Sequence, residues 1–141
     1  MYQSQLNPRK IIDDKILKIH KHTKVQQVGI DLTVSEFIEL PQGHAYNVLL
    51  NEIVELPDDV YAMLYGRSSY NREGVLIRGS VYDPGYKGQV GCTIYNMSGN
   101  FLKIKPNERI CQMMFFRADP ASKYDGQYQS EHLYTKCKTR L

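Results

Sequence analysis

The chain is 141 residues long, 42% hydrophobic and 23% charged, with a formal net charge of +3. That is enough chain for one domain with one core, and the composition excludes a disordered polymer. Apolar runs are only a few residues long, as in Tyr61-Ala62-Met63-Leu64-Tyr65, far short of a membrane span. The first residues hold no apolar leader core, so a cytoplasmic location is expected. Cys92, Cys111 and Cys137 are odd in number and widely spaced. That argues against a disulfide framework or a zinc cluster and for reduced, partly buried thiols. Lys and His crowd residues 18–24, and Lys136, Lys138 and Arg140 crowd the C-terminus. They read first as solvated faces and second as a rim attractive to polyphosphate; no nucleic-acid motif supports a third reading.

In chain order, residues 11–19 offer a short amphipathic helix through Ile12, Ile16 and Ile19. Leu17, Ile19, Val25, Val28, Ile30, Leu32 and Val34 also suit strands. Short apolar segments follow at 37–40, 46–56, 60–65, 75–77, 89–95, 101–105 and 109–116. Turn signals separate them: Pro41-Gln42-Gly43, Pro57-Asp58-Asp59, Asp83-Pro84-Gly85, Ser98-Gly99-Asn100 and Pro106-Asn107. Residues 69–73 suit a single helical turn. Many short, punctuated strands predict an all-β jelly-roll-like sandwich. Ile94, Ile104, Ile110, Met113 and Phe115 suit either its core or a contact between subunits. One domain is expected over residues 1–141, turning polar from about 118 into an arm that orders only against something else.

Reactive and punctuating residues concentrate between Tyr65 and Gly91. In Gly66-Arg67-Ser68-Ser69, a guanidinium, two hydroxyls and backbone N–H groups suit a phosphate. Taken alone, the tetrapeptide fits better a helix capped by Ser68 or Ser69. In Gly79-Ser80-Val81-Tyr82-Asp83-Pro84-Gly85-Tyr86-Lys87-Gly88, Pro84-Gly85 fits the centre of a type II turn, so a hairpin is expected. Its glycines would let backbone approach a flat ligand, Asp83 would orient or deprotonate a water, and Tyr86 would stack on a sugar or base. A plain surface hairpin explains the same residues when they are taken alone. His20, His22, His44 and His132 lack zinc-ligand spacing.

Four segments, in order, resemble the motifs of the trimeric dUTPase and dCTP deaminase superfamily. They are Gly29-Ile30-Asp31-Leu32, Gly66-Arg67-Ser68-Ser69, the stretch from Ser80 to Gly88, and Ile104-Lys105-Pro106-Asn107-Glu108-Arg109-Ile110-Cys111-Gln112-Met113-Met114-Phe115. The resemblance implies a dUTPase-like β-clip assembled as a homotrimer. Asp83 would hold the water that attacks the α-phosphorus, and Tyr86 would lie against the deoxyribose. The hairpin edge at Ile77, Gly79 and Ser80 would read the pyrimidine. Arg67, Ser68 and Ser69 would bind phosphates, across a subunit boundary. Gln112 would position phosphate or water, and Asp31 would act through water on a Mg²⁺ carried by the triphosphate.

Two departures bear on the reaction. A glycine-rich C-terminal motif is absent, and Lys123-Tyr124-Asp125-Gly126-Gln127 stands in its place. It resembles the deaminase tail, in which Lys123 and Gln127 would clamp the triphosphate with Tyr124 beside them. Arg72 also stands where the deaminase branch has an arginine. Against this, the glutamate that deaminases use as proton shuttle is replaced by Thr93, which has no useful pKa near neutrality. The resemblance therefore implies hydrolysis of dUTP to dUMP and pyrophosphate, with no nucleic acid or membrane as partner. The alternatives are a dCTP deaminase, mono- or bifunctional, and a nucleotide-binding relative without turnover.

Overall fold

The computed structural model of the chain describes residues 5–119 and 124–130. Asn7 and Pro8 open the first element, α1 (Pro8–Asp13). The Asn7 side chain accepts the Arg9 N–H, and Pro8 fits the first turn, where its missing N–H costs nothing. The helix ends at Asp13, short of the Ile16 and Ile19 that the spacing would include, because Lys15 takes a left-handed φ of 58°. Ile16 and Leu17 then turn into the core as the strands begin.

The strands are β1 (Leu17–Lys18), β2 (Lys24–Val25), β3 (Ile30–Thr33), β4 (Ile38–Leu40), β5 (Ala45–Glu55), β6 (Val60–Gly66), β7 (Val75–Tyr82), β8 (Lys87–Asn96), β9 (Leu102–Ile104) and β10 (Arg109–Arg117). A second short helix, α2 (Ser68–Arg72), links β6 to β7. Every paired segment is antiparallel. One sheet runs in the order β1-β5-β8-β7-β6-β10-β3-β2, and β4 pairs with β9 apart from it. The sheet curls, so that β3 near one edge meets β5 near the other. Ser35 N–H donates to Leu49 O at 3.2 Å, Val34 bridges Leu50, and the Glu52 carboxylate takes the Thr33 N–H at 2.7 Å. This all-β curled architecture is the expected jelly-roll-like fold.

Curling explains why alternation fails in β3. All four of its residues are buried, Asp31 and Thr33 included, because β5 covers the face that would otherwise meet water. Ile94, Ile104, Ile110, Met113 and Phe115 all belong to the core of the single chain. Cys92 and Cys111 are free and buried, as expected of structural thiols. Asn96 ties the end of β8 to its surroundings, donating to Leu40 O at 2.8 Å and to Asn100 O at 2.9 Å. Among the described residues no helix is long and apolar enough to cross a membrane.

Candidate active site

The site residues fall into two groups at opposite ends of β6 and β7. The first is the β7–β8 hairpin. Gly85 has φ 81°, and the Tyr86 N–H donates to Asp83 O at 3.1 Å, which makes the expected tight turn at residues 83–86. Pro57 O supports the tip by accepting the Gly85 N–H. The Asp83 side chain is exposed at this tip, and no described residue pairs with its carboxylate. Tyr86 is 6% exposed. Its ring lies 5.6 Å from that of Tyr82 and 5.4 Å from that of Tyr124, which meets it edge-on.

Residues 124–130 lie along the same tip. Tyr124 N–H donates to Pro84 O at 2.8 Å and Ser130 N–H to Lys87 O at 2.7 Å. The Gln129 amide spans the turn, accepting from Lys87 N–H and donating to Gly85 O at 2.9 Å. Gln127 is exposed beside this strap. Lys123 lies outside the described residues.

The edge expected to read a base sits where the hairpin opens. The β7–β8 ladder ends at Arg78 opposite Thr93, although β7 continues to Tyr82 and β8 starts at Lys87. Ile77 remains in the ladder opposite Ile94, whereas Gly79 and Ser80 lie on the opened stretch. Gly79 packs so closely on the Leu64 side chain that a Cβ there would displace it. Thr93 donates its hydroxyl to Asn47 Oδ1 at 2.6 Å.

The second group surrounds a cleft of about 550 Å³ lined by His22, Arg67, Ser69, Tyr70, Lys103, Glu108 and Arg109, among others. Neither serine caps α2. Arg67 occupies the N-cap without a side-chain cap bond, so both exposed hydroxyls remain available to a ligand. Arg72, in the last turn of α2, is exposed. Asp31, 1% exposed, anchors the cations from behind. Its Oδ2 takes Arg109 Nη1 at 3.1 Å and Gln26 Nε2 at 2.8 Å, with Arg67 Nε at 3.6 Å. Arg67 also donates to Arg109 O at 3.2 Å. Tyr70 donates to Glu108 at 3.0 Å, and burial first, then Glu108, pushes the Tyr70 hydroxyl pKa up, so it stays neutral. Gln112 stands between Asp31 on β3 and Tyr65 on β6. Gly29 allows this close approach, since a Cβ there would lie 2.7 Å from Met113 O.

Arg109 and Lys103 are the cleft cations for which the sequence suggested no role. Arg109 was legible as the basic residue ahead of Ile110 and Gln112; Lys103 carried no signal. The Asp83 tip and the cleft lie apart within one chain, although Ile77 of the hairpin edge packs against Gly66 beside the cleft. Ala62 stands opposite Tyr82, and Arg67 follows the last residue of β6. At about 3.3 Å per residue, the Asp83 tip lies roughly 15–20 Å from Arg67.

The curled antiparallel sheet thus carries an opened hairpin at one end and an arginine–serine cleft at the other. The family model described as dCTP deaminase-like matches residues 18–118, and the chain belongs to that family. It is 33% identical over 115 residues to a dCTP deaminase of Pyrococcus horikoshii, covering 80% of this chain and 74% of that protein. It is 34% identical over 106 residues to a probable deoxyuridine 5'-triphosphate nucleotidohydrolase of Methanococcoides burtonii, covering 74% of this chain but only 62% of that relative's length. The structure of the EIAV dUTPase is similar with a TM-score of 0.65 at 21% identity, covering 78% of this chain and 95% of that one.

Proposed function

We propose that the protein hydrolyses dUTP to dUMP and pyrophosphate as a homotrimer, with each site built from the hairpin of one copy and the arginine–serine cleft of another. The observation that carries this reading is the exposed carboxylate of Asp83, which no described residue pairs, beside an open backbone edge. There it orients a water and takes its proton as the water oxygen attacks the α-phosphorus. The bond to the bridging oxygen breaks, and pyrophosphate leaves toward Arg67, Ser68 and Ser69. Tyr86 walls the sugar, Gly79 and Ser80 read the base, and Arg72, Gln112, Lys123 and Gln127 engage the phosphates. The Thr93 hydroxyl, spent on Asn47, offers no general base for attack on a cytosine.

Among the described residues no group of three His, Cys, Asp or Glu is placed to hold a metal. A Mg²⁺ brought in on the triphosphate would supply charge neutralisation there. Asp31, with Oδ2 engaged by Arg109 and Gln26, would act on it only through water.

The second reading is dCTP deamination. The Tyr124 and Gln127 tail, Arg72, and the Pyrococcus relative's name favour it. Incubation with Mg²⁺ and dUTP, dCTP, dTTP or UTP separately, followed by ion-exchange chromatography, decides between them. dUMP from dUTP alone is expected. dUTP or dUMP arising from dCTP selects the deaminase, and binding without product selects a non-catalytic relative.

A further inference from the structure

At the level where the hairpin opens, β8 meets a side chain from β7 in place of its backbone. The Tyr82 hydroxyl donates to Gly91 O at 2.7 Å, and the Gly91 N–H lies 3.4 Å from the same oxygen. The ring is 9% exposed, held between the sheet and Tyr86. Desolvation by burial pushes the Tyr82 pKa up, which keeps the group a permanent donor. A phenol has two torsions and a fixed length, so a ring anchored at both ends is a rigid spacer. On its other side β7 is paired to β6 through Val81 and Tyr82, which fixes the base of the spacer. Val81 is thus held in register with β6, Gly79 lies against Leu64 where that ladder is irregular, and Tyr82 keeps the stretch at a set distance from β8 on the other side.

We propose that Tyr82 is a positioning residue for the pyrimidine, a strut that sets the gap between residues 79–81 and β8 and so places the backbone groups that read the base. The identity of the base rests on the dUTP reading; the strut itself does not. The variant Tyr82→Phe keeps the ring and removes only the donor.

Titration calorimetry with α,β-imido-dUTP and α,β-imido-dCTP, alongside steady-state hydrolysis of dUTP, tests this. On the scale of one buried hydrogen bond, Tyr82→Phe should bind imido-dUTP about tenfold more weakly. Its dUTP:dCTP affinity ratio should shrink, its KM should rise, and kcat should stay within about threefold, because the Asp83 tip is untouched. A purely structural role would lower the folded fraction without changing the base ratio. Unchanged affinity and ratio in Tyr82→Phe, with wild type binding normally, overturns the strut alone. Wild type that neither binds nor hydrolyses these nucleotides overturns the functional reading and the strut's purpose together. Should Tyr82→Phe fail to fold, hydrogen exchange on wild type decides. A Gly91 amide protected before nucleotide is added supports the strut, and one that exchanges freely overturns it.

Discussion

Asp31 and Glu52 are both buried carboxylates, yet the fold settles them differently. Asp31 meets Arg109, Gln26 and Arg67. Glu52, 0% exposed, meets no cation among these contacts, only the donors of Thr33 and Thr23 and its own backbone N–H. Burial raises the Glu52 pKa against the pull of those hydrogen bonds. A carboxyl with a raised folded pKa is stabilising while protonated, and that contribution drains away as pH climbs from its unfolded value through the folded one. Thermal melts of Glu52→Gln against wild type should therefore show the variant gaining relative stability as pH rises from about 4.5 toward neutrality. A pH-independent difference would refute this. Arg109→Ala leaves Asp31 with Gln26 and the more distant Arg67 and should cost on the order of 2–3 kcal/mol in urea unfolding, less than a fully buried pair because Arg109 is partly exposed. Asp83→Asn removes base and orientation together. Turnover should fall at least ~10³-fold while nucleotide binding persists. Asp83 was legible because a carboxylate before Pro-Gly marks a turn. Glu52 was not, because within residues 46–56 nothing distinguishes a carboxylate pointing inward from one pointing to solvent.

At the scale of elements, punctuation carried the reading. Each apolar segment between turn signals became a strand, and Pro84-Gly85 became the hairpin turn. Where expectation and structure differ, non-local packing is the cause. Ile12, Ile16 and Ile19 follow a helical spacing, but a left-handed Lys15 sends the chain into β1. The serines that looked like caps instead open the helix itself, because Arg67 leaves β6 in extended conformation and becomes the cap. The opening of the hairpin depends on where β7 can pair, which only the assembled sheet determines. Gly79→Ala tests that region. Its Cβ must push Leu64 aside, so the variant should lose roughly 1–3 kcal/mol and bind nucleotide more weakly even where it folds, as urea unfolding and calorimetry would show.

For the whole molecule, the separation of the Asp83 tip from the Arg67 cleft has a direct consequence. On the reading proposed above, a site that uses both draws them from two copies. Coexpressing Asp83→Asn with Arg67→Ala, each inactive alone, should restore about a quarter of wild-type activity if copies mix at random in a closed ring. No recovery would place the whole site within one chain. The exposed apolar residues on the outer face of β6, β7 and β8, among them Tyr65, Leu76, Val81 and Tyr95, suit such packing. Sequence patterning identified which residues are apolar. It did not separate this outer set from Ile94, Ile110 and Phe115, since core and interface share one composition.

The strap adds a dependence that runs against sequence distance. Gln129 grips only main-chain atoms of the tip, Gly85 O and Lys87 N–H. Side chains at Pro84 or Lys87 can therefore change without loosening it. The handedness of one peptide unit cannot. Gly85 sits at φ 81°, where any residue with a Cβ costs about 1 kcal/mol or more. In Gly85→Ala the turn should relax to another type and carry Gly85 O out of reach of Gln129. Amide exchange at Tyr124 and Ser130 should then accelerate. A single mirror-image torsion would thus act as the lock that decides where residues 124–130 reside.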